Sequence, residues 1–185
     1  MSVTTDLIPG YVAGTWTLDP THSEVTFSVR HLAISKVRGS FKKFDATIVT
    51  AENPADSTFT ATIDVASIDT NNADRDGHLR TGDFFLTEEF PTIEFVSTGL
   101  DHDGSDFLLS GNLTMRGVTK PVVIKGEFGG IVTDTYGQVK AGATGTVKIN
   151  RTDFGVNWNA ALETGGFMLG DEVTITIEGQ VVLQK

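Results

Sequence analysis

The chain contains no cysteine. That excludes thiolate nucleophiles, thiolate metal sites and disulfide frameworks, and it leaves the redox compartment open. Positive charge is scarce. Against 24 Asp and Glu stand 14 Lys and Arg, a formal net charge of −10. Nucleic-acid binding needs a basic face that displaces counterions from phosphates, so nucleic acid is not an expected partner. The densest basic stretch, Lys36 to Lys43, occupies half of one strand-like run. An acidic envelope favours solubility and weakens attraction to anionic lipid, so stable membrane insertion is not expected. No apolar run approaches the ~20 residues of a membrane-spanning helix. Met1 to Gly14 lacks the basic-then-apolar order of a secretory signal, which makes the cytoplasm the default location. GxSxG, HExxH, Walker and Rossmann patterns are all missing. No carboxylate pair stands out as acid and base. Nothing makes a positive case for catalysis, and no cofactor is expected.

What the chain does have is phenylalanine and glycine. There are 12 Phe against 2 Trp and 2 Tyr, and 20 Gly, in 185 residues that are 39% hydrophobic. Phe has no polar tip, so this bias suits a dry interior. The length fits one domain with a sizeable core. Residues 1–14 read as an extension and 15–185 as the domain.

Apolar and polar residues alternate with period two along most of the chain, the signature of half-buried strands. Val25, Phe27, Val29 and His31 share one face of a run whose other face carries Thr26, Ser28 and Arg30. Similar alternation runs through Phe59 to Val65, Phe107 to Met115 and Val173 to Leu183. Turn signals punctuate these runs at Glu52-Asn53-Pro54, Asp101 to Gly104, Gly117, Asp134 to Gly137 and Gly165-Gly166. Between Val37 and Val49 the phase slips by one residue, which predicts a β-bulge near Lys42-Lys43. About eight principal strands result, mostly joined by hairpins. Long strands with one apolar face bury it by closing on themselves, so the expected fold is all-β, a single antiparallel eight-stranded barrel rather than a two-sheet sandwich. The polar segment Thr70 to Phe85 breaks the pattern and predicts a short helix near 71–82, with Asn caps at its start. Gly155 to Gly170 is irregular and is expected to cover part of the barrel. A membrane barrel is disfavoured: the polar faces suit bulk water and no aromatic girdle is visible.

The interior of such a barrel is either plugged by side chains or able to hold one small ligand. Gly39, Ala61, Gly111, Gly126, Ala143, Gly145 and Gly179 fall on the inward parity. Two readings fit equally: they leave room along the axis, or they relieve strain at bulges and corners. Other local constellations read as structural. His22 and Glu24 share a parity but lack a third ligand, so no metal site is expected. Asp101 to Asp106, DHDGSD, has its glycine at the wrong place for a calcium loop and reads as a hairpin turn.

A series of segments nevertheless recurs in a recognisable order. Trp16 to Ser23 (WTLDPTHS) is followed by Arg30-His31-Leu32, Val37 to Phe41, Ser67 to Thr70 and Arg75 to Arg80 (RDGHLR). Then come Asp83-Phe84-Phe85, Phe90 to Phe95 (FPTIEF), Gly111 to Thr119, Asn150 to Gly155 (NRTDFG) and Gly170 to Val173. In this order and spacing the chain resembles the YceI-like family, from about Trp16 to Leu183. The resemblance implies a lipocalin-like barrel with an elongated apolar pore, binding a polyprenyl chain, isoprenoid quinone or long-chain fatty-acid-like amphiphile. It also implies homodimers, and export to the periplasm in many relatives.

On this reading Phe27, Val29, His31, Phe41, Phe59, Ile63, Phe95, Leu109, Leu113 and Phe128 line the pore, with Phe84, Phe85 and Trp158 near a mouth. Arg75, His78 and Arg80 are candidates for a phosphate or quinone head group; the rival role for the arginines is to pair with Asp74, Asp76 or Asp83 and fix the helix. His31 either bonds a ligand head or sits at the rim. The expected function is non-catalytic carriage or sequestration of a small-molecule lipid. The alternatives are an enzyme acting on a lipophilic substrate in the pore, with His31 as proton carrier, and a solidly packed interaction module.

Overall fold

Period-two runs become strands, and in a computed structural model that describes residues 8–163 and 165–185 they form one sheet. Its segments are β1 (Gly14–Leu18), β2 (Glu24–His31), β3 (Ser35–Phe41), β4 (Phe44–Thr50), β5 (Thr58–Asp64), β6 (Ile68–Asp69), β7 (Thr92–Asp103), β8 (Asp106–Met115), β9 (Val118–Thr133), β10 (Val139–Asn150) and β11 (Leu169–Leu183). The one α-helix among the described residues, α1 (Ala73–Leu79), lies between β6 and β7. Neighbouring strands are antiparallel throughout, and the order β1-β4-β5-β7-β8-β9-β10-β11 returns to β1, closing a ring of eight. β2, β3 and β6 continue the ring alongside β11. The chain is therefore an up-and-down barrel of eight long strands, three of them broken. Closure leaves the apolar faces nowhere to go but inward.

The three breaks lie side by side. β1 and β2 are separated by a 3-10 turn at Pro20–His22, capped by Asp19, whose carboxylate accepts from Thr21 N at 3.0 Å. β5 and β6 are separated by a 3-10 turn at Val65–Ser67, capped by Asp64. Between β3 and β4, Lys42 N donates to Ser67 O and Lys43 N to Ser67 Oγ. The phase slip at Lys42-Lys43 is thus not a bulge within one strand, as the sequence suggested. It is one part of a corner at which three adjacent strands turn together. Genuine register shifts occur between Gly142 and Ala143 and between Ser97 and Gly99.

The ends of the barrel differ. At one end lie the β2–β3 hairpin, α1, the turn at Arg116-Gly117 and the irregular segment 151–168. α1 starts at Asn72, whose side chain accepts from Arg75 N at 3.0 Å, the capping the sequence predicts. The helix is pinned by Asp76, buried, which accepts from both Thr70 N and Thr70 Oγ1. The opposite end carries short connections, such as the turn at Gly104 with φ 61°, and residues 8–13, whose Tyr11 hydroxyl donates to Ala51 O. No helix among the described residues is long and apolar enough to cross a membrane.

Candidate ligand cavity

Inside the barrel, space is unevenly distributed. Away from α1, Phe95, Leu109, Leu113, Ile124 and Val147 are buried in one apolar cluster, with Phe59, Ile63 and Ile177 packed against it. The inward glycines there are not vacancies. A Cβ at Gly111 would collide with the Phe95 ring, and one at Gly126 with the Phe107 ring and the Thr144 carbonyl. Phe27 lies over Gly39 in the same way, from the directly paired position on the next strand. Glycine permits an aromatic ring to lie flat across its neighbour, so at these positions small residues fill the interior rather than empty it. At Gly179, by contrast, no atom lies within 4 Å of an added Cβ.

Toward α1 the barrel is hollow. A cavity of about 220 Å³ is walled by Phe27, Val29, Val37 and Phe41 from β2 and β3, and by Val173 and Ile175 from β11. Ile93, Met115 and Ile149 close it below. Leu79, Phe84 and Phe85 from the helical segment, and Val156, Trp158 and Met168 from the 151–168 segment, roof it. The few polar side chains belong to the rim: His31, Thr70, Arg75, His78 and Arg151. A wall of methyl, methylene and phenyl groups with polar atoms confined to one end matches an amphiphile held tail-first.

The rim groups are held by specific contacts. Arg75 donates from Nε to Thr70 Oγ1 at 2.8 Å and from Nη2 to Thr70 O at 2.7 Å. His78 Nε2 and Asp83 Oδ2 are 2.8 Å apart, while the His78 ring stands edge-on to Phe84 and Trp158 at centroid distances of 5.1 and 5.0 Å. These aromatic contacts orient the roof. Arg151 is buried and donates to three carbonyls, Gly170 at 2.9 Å, Val156 at 2.8 Å and Trp158 at 2.9 Å, so one side chain anchors both ends of the roofing segment. Its Nη2 lies 3.8 Å from Asp171 and makes no hydrogen bond. Burial lowers the Arg151 pKa from its ordinary value, with the Asp171 charge opposing.

Of the expected pore residues, Phe27, Val29, His31, Phe41, Phe84, Phe85 and Trp158 line this cavity, as do the head-group candidates Arg75 and His78. Phe59, Ile63, Phe95, Leu109 and Leu113 belong to the same apolar cluster but are not among the residues that line the cavity. Phe128 pairs with Ala143 and lies outside the cavity wall. Arg80 also lies outside it: its Nε donates to Ala66 O at 3.0 Å and its Nη2 to Ile68 O at 3.4 Å. Neither arginine pairs with the nearby aspartates; both fasten the helical segment to backbone carbonyls or Thr70. Val173 and Ile175 carry the right parity and were legible as wall residues. Arg151, Val156 and Met168 were not, because no periodicity marks an irregular roof. No cluster of His, Asp or Glu fit to hold a metal ion occurs among the described residues.

The barrel and its roof have a known counterpart. Residues 16–181 match the YceI-like domain. The chain belongs to the YceI-like family. A UPF0312 protein of Staphylococcus aureus is 41% identical over 160 residues, covering 85% of this chain and 91% of its own length. The YceI protein of Campylobacter jejuni, solved by crystallography, is 30% identical with a TM-score of 0.70, covering 84% of this chain and 90% of that one. A polyisoprenoid binding domain from Saccharophagus degradans shares the fold at 15% identity and a TM-score of 0.70, over 91% of this chain and 98% of its own. In this YceI-like chain the RDGHLR segment builds α1 and the rim, and the NRTDFG segment builds the Arg151 anchor.

Proposed function

We propose that this YceI-like protein binds the hydrocarbon chain of an isoprenoid-like or fatty-acid-like amphiphile, without catalysis, and thereby carries or sequesters it. The observation that carries this reading is the cavity of about 220 Å³, apolar in its depth and polar only at its rim. The fold shared with the Saccharophagus degradans polyisoprenoid binding domain supports it.

A dry cavity of about 150 Å³ holds a benzene ring. Scaled from that, the present cavity takes roughly nine carbons, near two isoprene units. At ~0.8 kcal/mol per buried methylene their burial is worth about 7 kcal/mol before the cost of association. A long prenyl chain therefore enters by its end, with the remainder near the rim, or displaces the rings that lie over the inward glycines. A carbonyl, carboxylate or phosphate head then meets His31, Arg75 and His78.

Native mass spectrometry and organic extraction of freshly purified protein test the proposal. A co-purifying lipid, or uptake of added farnesol with no product formed, is the expected result. Protein recovered empty in repeated preparations that also ignores prenyl alcohols, quinones and fatty acids would overturn it. Conversion of a bound chain to product would overturn its non-catalytic part.

A further inference from the structure

The β2–β3 hairpin tip has an unusual makeup. Leu32 and Ala33 occupy left-handed backbone at φ 55° and 59°, where Asn-Gly or Asp-Gly is the unstrained choice. The next residue, Ile34, is 83% exposed. Leu32 N donates to Met168 O at 2.7 Å, which ties the hairpin to the roofing segment beside Phe167, 63% exposed. Two large apolar side chains thus project from one lip. Their near neighbours in the chain, His31, Val37 and Met168, line the cavity.

Charge on the same lip runs against the rest of the molecule. From Val25 to Phe41 there are three basic residues, Arg30, Lys36 and Arg38, and no acidic one, in a chain of net charge −10. Arg30, Lys36 and Arg38 are exposed on the outer face of the hairpin, with Arg30 opposite Lys36 and Ser28 opposite Arg38. None of the three is ion-paired among the described residues, whose ion pairs lie elsewhere. On β11 the nearest acids are Asp171, which faces Arg151, and Glu172, which faces Lys148; on β6 Asp69 lies opposite Ser40, and exposed Glu163 precedes Phe167 in the roofing segment. Overall charge predicts repulsion from anionic lipid, but local charge governs contacts within a Debye length, about 8 Å at physiological ionic strength.

We infer that this lip docks on an anionic lipid bilayer, with Ile34 and Phe167 entering the interface and Arg30, Lys36 and Arg38 meeting lipid phosphates. Exposed apolar tips flanked by cations match the interfacial region of a bilayer. Docking places the cavity rim against the layer from which an acyl or prenyl chain is withdrawn. The role in loading rests on the proposed function; the docking itself does not.

Vesicle flotation tests it, using phosphatidylcholine alone and phosphatidylcholine mixed with phosphatidylglycerol. The protein is expected to float with the mixed vesicles only, and to detach as ionic strength rises from about 0.05 to about 0.5 M. Lys36→Glu with Arg38→Glu is expected to weaken binding at least 25-fold, about fivefold per cation removed. Ile34→Asp with Phe167→Ser is expected to weaken it more than tenfold. Val132→Ser with Tyr136→Ser, two exposed apolar groups at the opposite end, leaves it unchanged. Failure of the wild type to float, or equal losses in the control pair, overturns the inference. Uptake of farnesol from solution, measured in parallel, reads the cavity independently. Uptake without flotation sinks the docking surface alone, and flotation without uptake sinks the proposed function alone.

Discussion

Phe95 lies beneath the cavity floor that Ile93, Met115 and Ile149 form, and its removal gives the sharpest test of how far the hollow extends. It lies one inward position beyond Ile93, a wall residue, and its ring covers Gly111 in the packed part of the barrel. Phe95→Ala removes a benzene-sized volume and leaves Gly111 with no ring over it. The destabilisation expected for Phe→Ala in a core is about 3–5 kcal/mol, within the stability of an ordinary domain. The consequence for binding follows from carbon counting. Across a series of straight-chain alcohols, each methylene that enters the cavity strengthens binding about fourfold, from ~0.8 kcal/mol. In the wild type the gain stops near nine or ten carbons, where the cavity is full and further carbons lie at the rim. In Phe95→Ala the break moves outward by about six carbons, the size of the lost ring. Calorimetry, or displacement of a fluorescent probe, locates the break in each protein. An unchanged break in the variant would refute the placement of Phe95 directly beneath the cavity. A wild-type affinity that climbs without a break to sixteen carbons would show an open tube instead.

Three further outcomes follow from the geometry. Gly126→Ala, forced against the Phe107 ring and the Thr144 carbonyl, is expected to lower stability by about 1–3 kcal/mol, whereas Gly179→Ala, with nothing within 4 Å, is expected to be nearly neutral; thermal unfolding of the pair checks this. Arg151→Met strands three carbonyls that hold the roof and is expected to cost about 3 kcal/mol or more, with amide exchange rising first in residues 155–163 and 165–168. Asp19 is held below its ordinary carboxylate pKa chiefly by its hydrogen bond to His22. A depressed folded pKa contributes stability above the unfolded value of about 4, lost as pH falls through the folded one. Asp19→Asn is therefore expected to flatten the acid limb of the stability profile below about pH 4, and a steeper limb would contradict the assignment.

Much of this protein was legible from residue order alone. Alternation assigned Phe27, Val29 and Phe41, and later Val173 and Ile175, to the inward face, because the pleat sends successive side chains to opposite sides whatever the partner strand. The need to bury one face of long strands pointed to a closed barrel. Asn72 announced the helix start, since a cap is a local hydrogen bond. Tertiary structure decided everything that depends on which strands lie side by side. The slip at Lys42-Lys43 looks like a bulge in isolation and becomes a corner only beside the breaks at Pro20–His22 and Val65–Ser67. Whether Gly111 and Gly126 empty or fill the barrel depends on Phe95 and Phe107, whose rings reach them from a neighbouring strand. Arg151 joins Val156, Trp158 and Gly170 through its own reach, with no periodicity to reveal it. Local pattern determines which way a side chain points; only the assembled barrel determines what it meets there, and hence where room for a ligand is left.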